Sequence, residues 1–307
     1  MRYYFAPMEG ITDSIYRRLH HRYFTGVDRY YMPFLSPTVH RTLTNREERE
    51  LPFADTEGFT AVPQVLTKVP EDFLWAAQVI RDRGYEEVNL NVGCPSGTVT
   101  AKGKGSGMLR EPEALDRFLD VVFAAAPLPI SVKTRLGFED PEEFVKILEI
   151  YNRYPIRELT IHPRVRKQFY DGGLSMEMFR YAAANSKNPL CFNGDILSRE
   201  DADRIGGEFP NVNAVMIGRG LVGDPGMLTP GGTDRAALQQ FCDALLEEYL
   251  VAFGGSRNAM FRLKENWVFL IRRFEGSEKL WKRLRKTTDL AEYRSITGEI
   301  FHTLQMK

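Results

Sequence analysis

RYYFAPMEGITD, residues 2–13, decides between two architectures. It opens as a short aromatic, β-prone run, reaches Pro7, and passes into a helix-like stretch that Asp13 is placed to cap. In an open, doubly wound sheet this first strand–turn–helix usually carries the glycine fingerprint GxGxxG. Here the turn is APMEGITD, with Gly10 its single glycine. The segment therefore reads as the first βα unit of a barrel.

Working outward, the same alternation recurs. Short apolar, β-rich runs occupy 3–7, 29–32, 61–66, 87–91, 130–134, 158–162, 190–193 and 214–217. Helix-like segments lie between most of them, at 13–23, 71–83, 112–125, 141–153, 175–185 and 198–209. Asp13, Asp140-Pro141 and Ser198 supply start signals. Eight such repeats predict an α/β fold, a (β/α)8 TIM barrel. The polar segment 41–58 is expected to be a long surface loop.

After Asp224-Pro225-Gly226 the character changes. LTPGGTD makes a linker, and only helical patterns follow, near 235–253, 260–274, 277–287 and 289–304. The expected division is a barrel over 1–228 and a small helical bundle over 235–307. Within the latter, residues 256–288 hold ten Lys/Arg against three acids, with Trp267, Phe269, Phe274 and Trp281 interleaved. Two readings stand: a solvated helix face over an aromatic core, or a polyanion-binding surface.

Bulk composition excludes more than it assigns. The 307 residues are 43% hydrophobic and 27% charged, and 41 basic side chains balance 41 acidic ones. MRYYFAPMEG reaches a proline and an acid too soon for a secretory signal, and no run of 18 apolar residues occurs, so neither a signal nor a membrane span is expected. Cys94, Cys191 and Cys242 are sparse and far apart, which argues against a disulfide scaffold and for a reducing, cytoplasmic setting. No CxxC, HExxH or other metal-ligand spacing is evident, so no metal is expected. His20-His21 reads as a surface pair.

In such a barrel the chemistry sits at the C-terminal strand ends. Those positions hold Pro7, Met8 and Glu9; Gln64; Asn91 to Cys94; Lys133 and Arg135; His162; Asn193, Gly194 and Asp195; and Gly218 and Arg219. Lys133, within PISVKTRL, is the hardest to explain structurally, because an ammonium among apolar strand residues needs a polar partner. NGDI and IGRG, after the seventh and eighth strands, suit a phosphate: glycine lets backbone N–H groups approach, and Arg219 adds a charged fork. Cys94 could be a small buried hydrophobe, as most free cysteines are. Against that, it precedes Pro95 and a glycine- and lysine-containing loop. That loop is not a phosphate-binding P-loop: five residues separate Gly97 from Gly103, and Gly105 rather than Ser or Thr follows Lys104. It reads instead as a lid over 101–108, with a cysteine at its hinge able to act as acid or nucleophile.

Taken together, APMEGITD (6–13), PQVL (63–66), NLNVGCPSGTVTAKGKGSGML (89–109), VKTRLG (132–137), IHPR (161–164), FNGDI (192–196) and MIGRG (216–220) resemble the tRNA-dihydrouridine synthase family. The resemblance implies an FMN-bearing barrel, a helical tRNA-binding domain, and NADPH-driven reduction of uridine in tRNA to 5,6-dihydrouridine. It implies Pro7, Met8 and Glu9 along the flavin, and Gln64, Lys133 and His162 at its ring and ribityl chain. Asn193, Gly194, Asp195, Gly218 and Arg219 would hold the ribityl and phosphate end. Asn91 and Arg135 are implied at the target base, and Cys94 as the acid that protonates C5. Pro163 departs from the glycine that many members carry after this histidine, so backbone contacts by that loop do not carry over. Two alternatives stay open: an FMN barrel acting on a free pyrimidine, similar to dihydroorotate dehydrogenases, and a catalytically inactive tRNA-binding protein.

Overall fold

Nine parallel strand segments form one sheet: β1 (Arg2–Phe5), β2 (Arg29–Tyr31), β3 (Ala61–Val62), β4 (Gln64–Val65), β5 (Val88–Val92), β6 (Ile130–Gly137), β7 (Leu159–Val165), β8 (Leu190–Asn193) and β9 (Ala214–Ile217). The computed structural model describes all of residues 1–307. The order is β3-β2-β1-β9-β8-β7-β6-β5-β4. Its two ends are the halves of a single run, parted by Pro63, which has no N–H to give to a ladder. The carbonyls of Val62 and Gln64 accept from Met32 and Leu35 on one side, and that of Pro63 accepts from Asn89 on the other. The sheet thus closes on itself, as eight strand runs in sequence, and the barrel expectation holds.

The helices are α1 (Ser14–Tyr23), α2 (Asn45–Glu50), α3 (Pro70–Asp82), α4 (Gly97–Thr100), α5 (Pro112–Ala125), α6 (Glu143–Tyr151) and α7 (Met176–Asn185). They continue as α8 (Arg199–Glu208), α9 (Arg219–Gly223), α10 (Arg235–Phe253), α11 (Ser256–Leu270), α12 (Glu278–Lys286) and α13 (Leu290–Thr303). Amphipathic spacing explains the longer ones: α3 buries Phe73, Ala76, Ala77 and Ile80, and α5 buries Leu115, Phe118, Leu119 and Val122. Asp13 caps α1 as expected, its Oδ1 accepting from the Tyr16 N–H at 2.9 Å. Three expectations are revised. The loop 41–58 contains α2, started by a capping box between Thr44 and Glu47; α2 buries no residue, so it has no apolar period to announce it. The Asp140-Pro141 start is displaced to Glu143, whose carboxylate instead gathers the N–H groups of Phe138, Glu139 and Asp140. His20 is fully buried, donating to or accepting at Nε2 opposite the Pro225 carbonyl at 2.9 Å; since a carbonyl only accepts, Nε2 carries the proton.

Contacts divide the chain into two units: Met1–Pro7, Asp28–Gly194 and Glu200–Met216 form one, and Met8–Val27, Asp195–Arg199 and Ile217–Lys307 the other. The second unit therefore recruits α1, which the linear division at 228 and 235 assigns to the barrel. The reason is aromatic packing: Tyr16, His20 and Phe24 all meet Phe241 of α10. In the same unit Trp267 is buried, donates Nε1–H to Tyr293 and packs with Phe274 and Phe301. Trp267 and Phe274 are thus core residues. In the first unit the barrel interior is filled by Tyr4, Ala6, Tyr31, Val62, Cys191, Ala214 and Met216. No helix is long and apolar enough to cross a membrane.

Candidate active site

β5 ends in Asn91-Val92-Gly93-Cys94. Asn91 Oδ1 accepts the N–H groups of Gly93 at 3.0 Å and Cys94 at 2.9 Å, which turns the chain out of the strand. Cys94 is half-buried and forms no disulfide. Its carbonyl accepts from the Ser106 N–H and hydroxyl at 3.1 and 2.8 Å. The segment after it is consequently less free than a lid over 101–108 would be. It forms α4 and then a 3-10 turn, and Gly105 to Leu109 are buried. Of residues 101–108 only Ala101 to Lys104 reach the surface, and the Lys104 ammonium bonds Ser36 Oγ at 3.3 Å.

Asn91 belongs to a chain of buried amides. Its Nδ2 donates to Gln64 Oε1 at 2.7 Å, Gln64 Nε2 donates to Asn89 Oδ1 at 2.7 Å, and Asn89 Nδ2 donates to Ser131 Oγ at 2.9 Å. Each such bond contributes about 1 kcal/mol net, and losing a partner here leaves a buried polar atom unsatisfied at about 1–3 kcal/mol. Gln64 and Asn91 are accordingly fixed before any ligand arrives.

The strand register sets Lys133 between Asn91 and Thr160. Alternation puts Val132 and Thr134 on the helix side, where Tyr151 donates to Thr134 Oγ1, and Lys133 and Arg135 on the interior side. The Lys133 ammonium makes no hydrogen bond or ion pair with the protein. Burial lowers its pKa to about 8, helped by the Arg135 guanidinium and opposed by the Cys191 and Cys94 thiols. Arg135, 1% exposed, donates Nε–H to Gly93 O at 3.0 Å, Nη1 to Val165 O at 3.0 Å and Nη2 to Phe169 O at 2.6 Å. It ties the turn before Cys94 to the segment after β7.

β6 and β7 run past their expected ends, to Gly137 and Val165, so Pro163 and Arg164 belong to a strand. Arg164, 2% exposed, donates to the Gly172 carbonyl from Nε and Nη2, and to His162 Nε2 from Nη1 at 3.1 Å. A guanidinium only donates, so Nε2 accepts and the His162 ring proton lies on Nδ1. Arg164 was absent from the strand-end candidates. Its signal was period two, His162 and Arg164 sharing the inner face. Gly194 is close-packed: a Cβ there would come within 2.9 Å of Leu174 and 3.2 Å of the His162 ring. Asn193 Nδ2 donates to the Met216 carbonyl at 2.8 Å.

Pro7 ends the first stretch of the first unit, and the second unit carries the remaining candidates. The Met8 N–H bonds Thr12 Oγ1 at 2.9 Å, and the Met8 carbonyl accepts from Ile11 and Thr12, a tight turn that leaves Glu9 exposed. Asp195, in a left-handed conformation at φ 47°, pairs with Arg219 at 2.7 Å. Gly218 precedes α9, and Gly220 packs so closely that a Cβ would lie 2.3 Å from the Ile196 carbonyl. The arrangement offers glycine-lined main chain and one guanidinium to an anion. No group of three or more His, Cys, Asp or Glu gathers to hold a metal ion.

Comparison with known proteins gives the lineage. The sequence profile of the dihydrouridine synthase family matches residues 4–270. The chain is 28% identical over 286 residues to tRNA-dihydrouridine synthase B of Pasteurella multocida, covering 93% of this chain and 82% of that one. It is 32% identical over 221 residues to tRNA-dihydrouridine synthase B of Shewanella oneidensis, covering 72% and 67%. Among solved structures, a morphinone reductase in complex with tetrahydroNAD superposes with a TM-score of 0.53 at 11% identity, over 77% of this chain and 89% of that one. That likeness concerns the barrel fold alone.

Proposed function

This chain belongs to the dihydrouridine synthase family, and on that premise we propose that it reduces uridines of tRNA to 5,6-dihydrouridine, with FMN as resident cofactor and NADPH as electron donor. The observation that carries the reading is Lys133: an ammonium inside the barrel, its pKa lowered by burial, with no protein group bonded to it. Such a charge fits a partner that gains negative charge, as the pyrimidine edge of a flavin does on reduction. Gln64 and His162, held by the amide chain and by Arg164, are proposed to flank Lys133 at the ring and ribityl chain. Pro7, Met8 and Glu9 are proposed along the ring. Asn193, Gly194, Asp195, Gly218 and Arg219 are proposed for the ribityl and phosphate end.

Bound there, reduced FMN would supply hydride chemistry towards C6 of the uracil. Addition there leaves enolate-like charge on the O4 side, and C5 then requires a proton. Cys94 Sγ donates it, so the thiol must be protonated at that moment. Asn91 and Arg135 are proposed for the base site. Their polar atoms already grip the Cys94 and Gly93 main chain, so their first effect is to fix where the sulfur sits. A stacked uracil cannot reach such a position; the base must leave its stack, at roughly a few kcal/mol. Residues 1–228 are proposed as the catalytic part and 235–307 as the helical tRNA-binding part, working in a reducing compartment.

A direct test is to purify the protein, record its absorption spectrum, and measure dihydrouridine formed in unmodified tRNA with NADPH. A yellow protein that converts tRNA and ignores free uracil and dihydroorotate supports the reading. A colourless protein, or one acting on the free bases instead, overturns it.

A further inference from the structure

The exposed aromatic rings of this chain are mostly accounted for. Phe53 lies under Arg83, Phe169 under Arg166, and Tyr170 beside His162 and Arg135. Phe261 of α11 differs. It is 67% exposed, and no ring or guanidinium packs on it. The spacing 257, 261, 264, 268 places Arg257, Phe261, Lys264 and Val268 of α11 on one face, and Arg272 follows in the turn after the helix. A groove runs beside this face, lined by Arg257, Asn258, Phe261, Lys264, Thr287 and Thr288. Lys264 spans it by donating to the Thr287 carbonyl.

Charge selects the occupant. The ion pairs formed by basic residues of α11 to α13 and the turn between α11 and α12 involve Arg262, Arg273, Arg283 and Arg294. Arg257 and Arg272 have no carboxylate partner, and no acidic side chain lines the groove. A cationic groove around a bare ring has the two components that bind unpaired nucleic acid: cations for phosphates and a π-face for a base. Asn258 and Thr288 add donors and acceptors suited to ribose and phosphate oxygens. A second copy of this chain fits worse, because joining two Phe261 faces would bring Arg257 and Lys264 against their own copies.

We propose that the Phe261 groove is an RNA subsite, in which one unstacked nucleobase lies on the Phe261 ring while its flanking phosphates meet Arg257 and Lys264. This rests on tRNA being the substrate, and it adds a second point of nucleotide recognition besides the reacting uridine. It predicts a preference for tRNA with an unpaired loop nucleotide over a plain duplex of equal length.

The test is equilibrium binding of unmodified tRNA to the flavin-loaded full chain, in the parent, Phe261→Ala, Phe261→Tyr and Arg257→Glu. Thermal denaturation verifies that each variant is folded. Phe261→Ala should weaken binding by roughly 5- to 150-fold, the range of one base–aromatic stack, and Phe261→Tyr should bind like the parent. Arg257→Glu should weaken binding and flatten its salt dependence. A folded Phe261→Ala variant that binds tRNA like the parent overturns the subsite, even if the parent makes dihydrouridine. A parent that sediments as a dimer, with Phe261→Ala a monomer of unchanged tRNA affinity, overturns it in favour of self-association. If Phe261 governs tRNA affinity but no dihydrouridine forms, the subsite stands and the catalytic reading fails. A parent that does not bind tRNA overturns both.

Discussion

Nη1 of Arg164 donates to Nε2 of His162 across 3.1 Å, which places the imidazole proton on Nδ1. The geometry therefore specifies a tautomer, and a tautomer can be measured. In protein labelled with 15N-histidine, His162 should give the Nδ1–H pattern. In Arg164→Met, which retains volume but no donor, the ring should redistribute between forms. Flavin affinity should fall by about 1–3 kcal/mol if His162 acts as an oriented donor. An unchanged tautomer in the variant would show that Arg164 does not set it.

Cys94 can be separated from cofactor binding. Cys94→Ala should retain flavin and its reduction by NADPH, yet lose roughly 10²- to 10⁴-fold in dihydrouridine formation, the usual contribution of a positioned acid. Cys94→Ser, with a less acidic hydroxyl, should fall between. Parent-like turnover in Cys94→Ala would remove the thiol from the proton transfer.

Lys133 gives a pH signature for cofactor binding. The free protein holds this lysine near pKa 8, whereas a flavin edge that accepts from the ammonium favours the protonated form. Above pH 8 binding must also recruit a proton, so affinity should fall as pH rises, by up to about tenfold per pH unit. Flavin fluorescence titrations of stripped protein between pH 7 and 9.5 measure this. Lys133→Met should bind more weakly and lose the slope; a parent with no slope contradicts the proposed contact.

His20 predicts acid sensitivity. Burial pushes its pKa down to about 3, against 6.5 in the unfolded chain. Below pH 6.5 the unfolded state takes up a proton that the folded state refuses, so stability is lost as pH falls from 6.5 towards 3. The full effect is of order a few kcal/mol. Urea unfolding of the parent and His20→Gln at pH 7 and pH 4.5 should show the parent losing more. Equal losses would assign the acid sensitivity to other groups.

The basic run of α12 should matter unevenly. Lys282 and Arg285 are exposed and unpaired, whereas Arg283 is tied to Glu299 at 3.0 Å. Lys282→Glu and Arg285→Glu should each weaken tRNA binding and reduce the slope of log affinity against log salt by about one. Arg283→Glu should also place two carboxylates together and lower thermal stability. Unchanged binding in the first two would make that face a solvated surface only.

How much was legible in the sequence depended on whether a feature left a local period or motif. The barrel was legible because strand and helix periods alternate eight times, and Asp13 announced its cap. Lys133 and His162 stood out because their residue types sit badly in apolar strands, and Cys94 because a glycine- and lysine-containing loop follows it. Three things were hidden. α2 has no buried face to give a period. Arg135 bonds carbonyls brought near by folding, and Asn91 bonds the Gln64 side chain as well as the next turn's N–H groups, so a guanidinium and an amide that looked available are already engaged. The burial of His20 depends on Phe241, some 220 residues further along the chain.

Pro63 carries a mechanical consequence. It interrupts the run that closes the barrel, and it lacks the N–H that would bond towards β5. At that place the side chain of Gln64 reaches both Asn89 and Asn91 on β5. Side-chain amides thus stitch a joint where a main-chain ladder bond is missing, and the last stitch is the residue that holds the Cys94 N–H. A local opening at this joint would reach the Cys94 main chain through the single residue Asn91. Hydrogen exchange along β4 and β5 should then follow the accessibility of the Cys94 thiol, so that this seam of the cylinder reports on the sulfur.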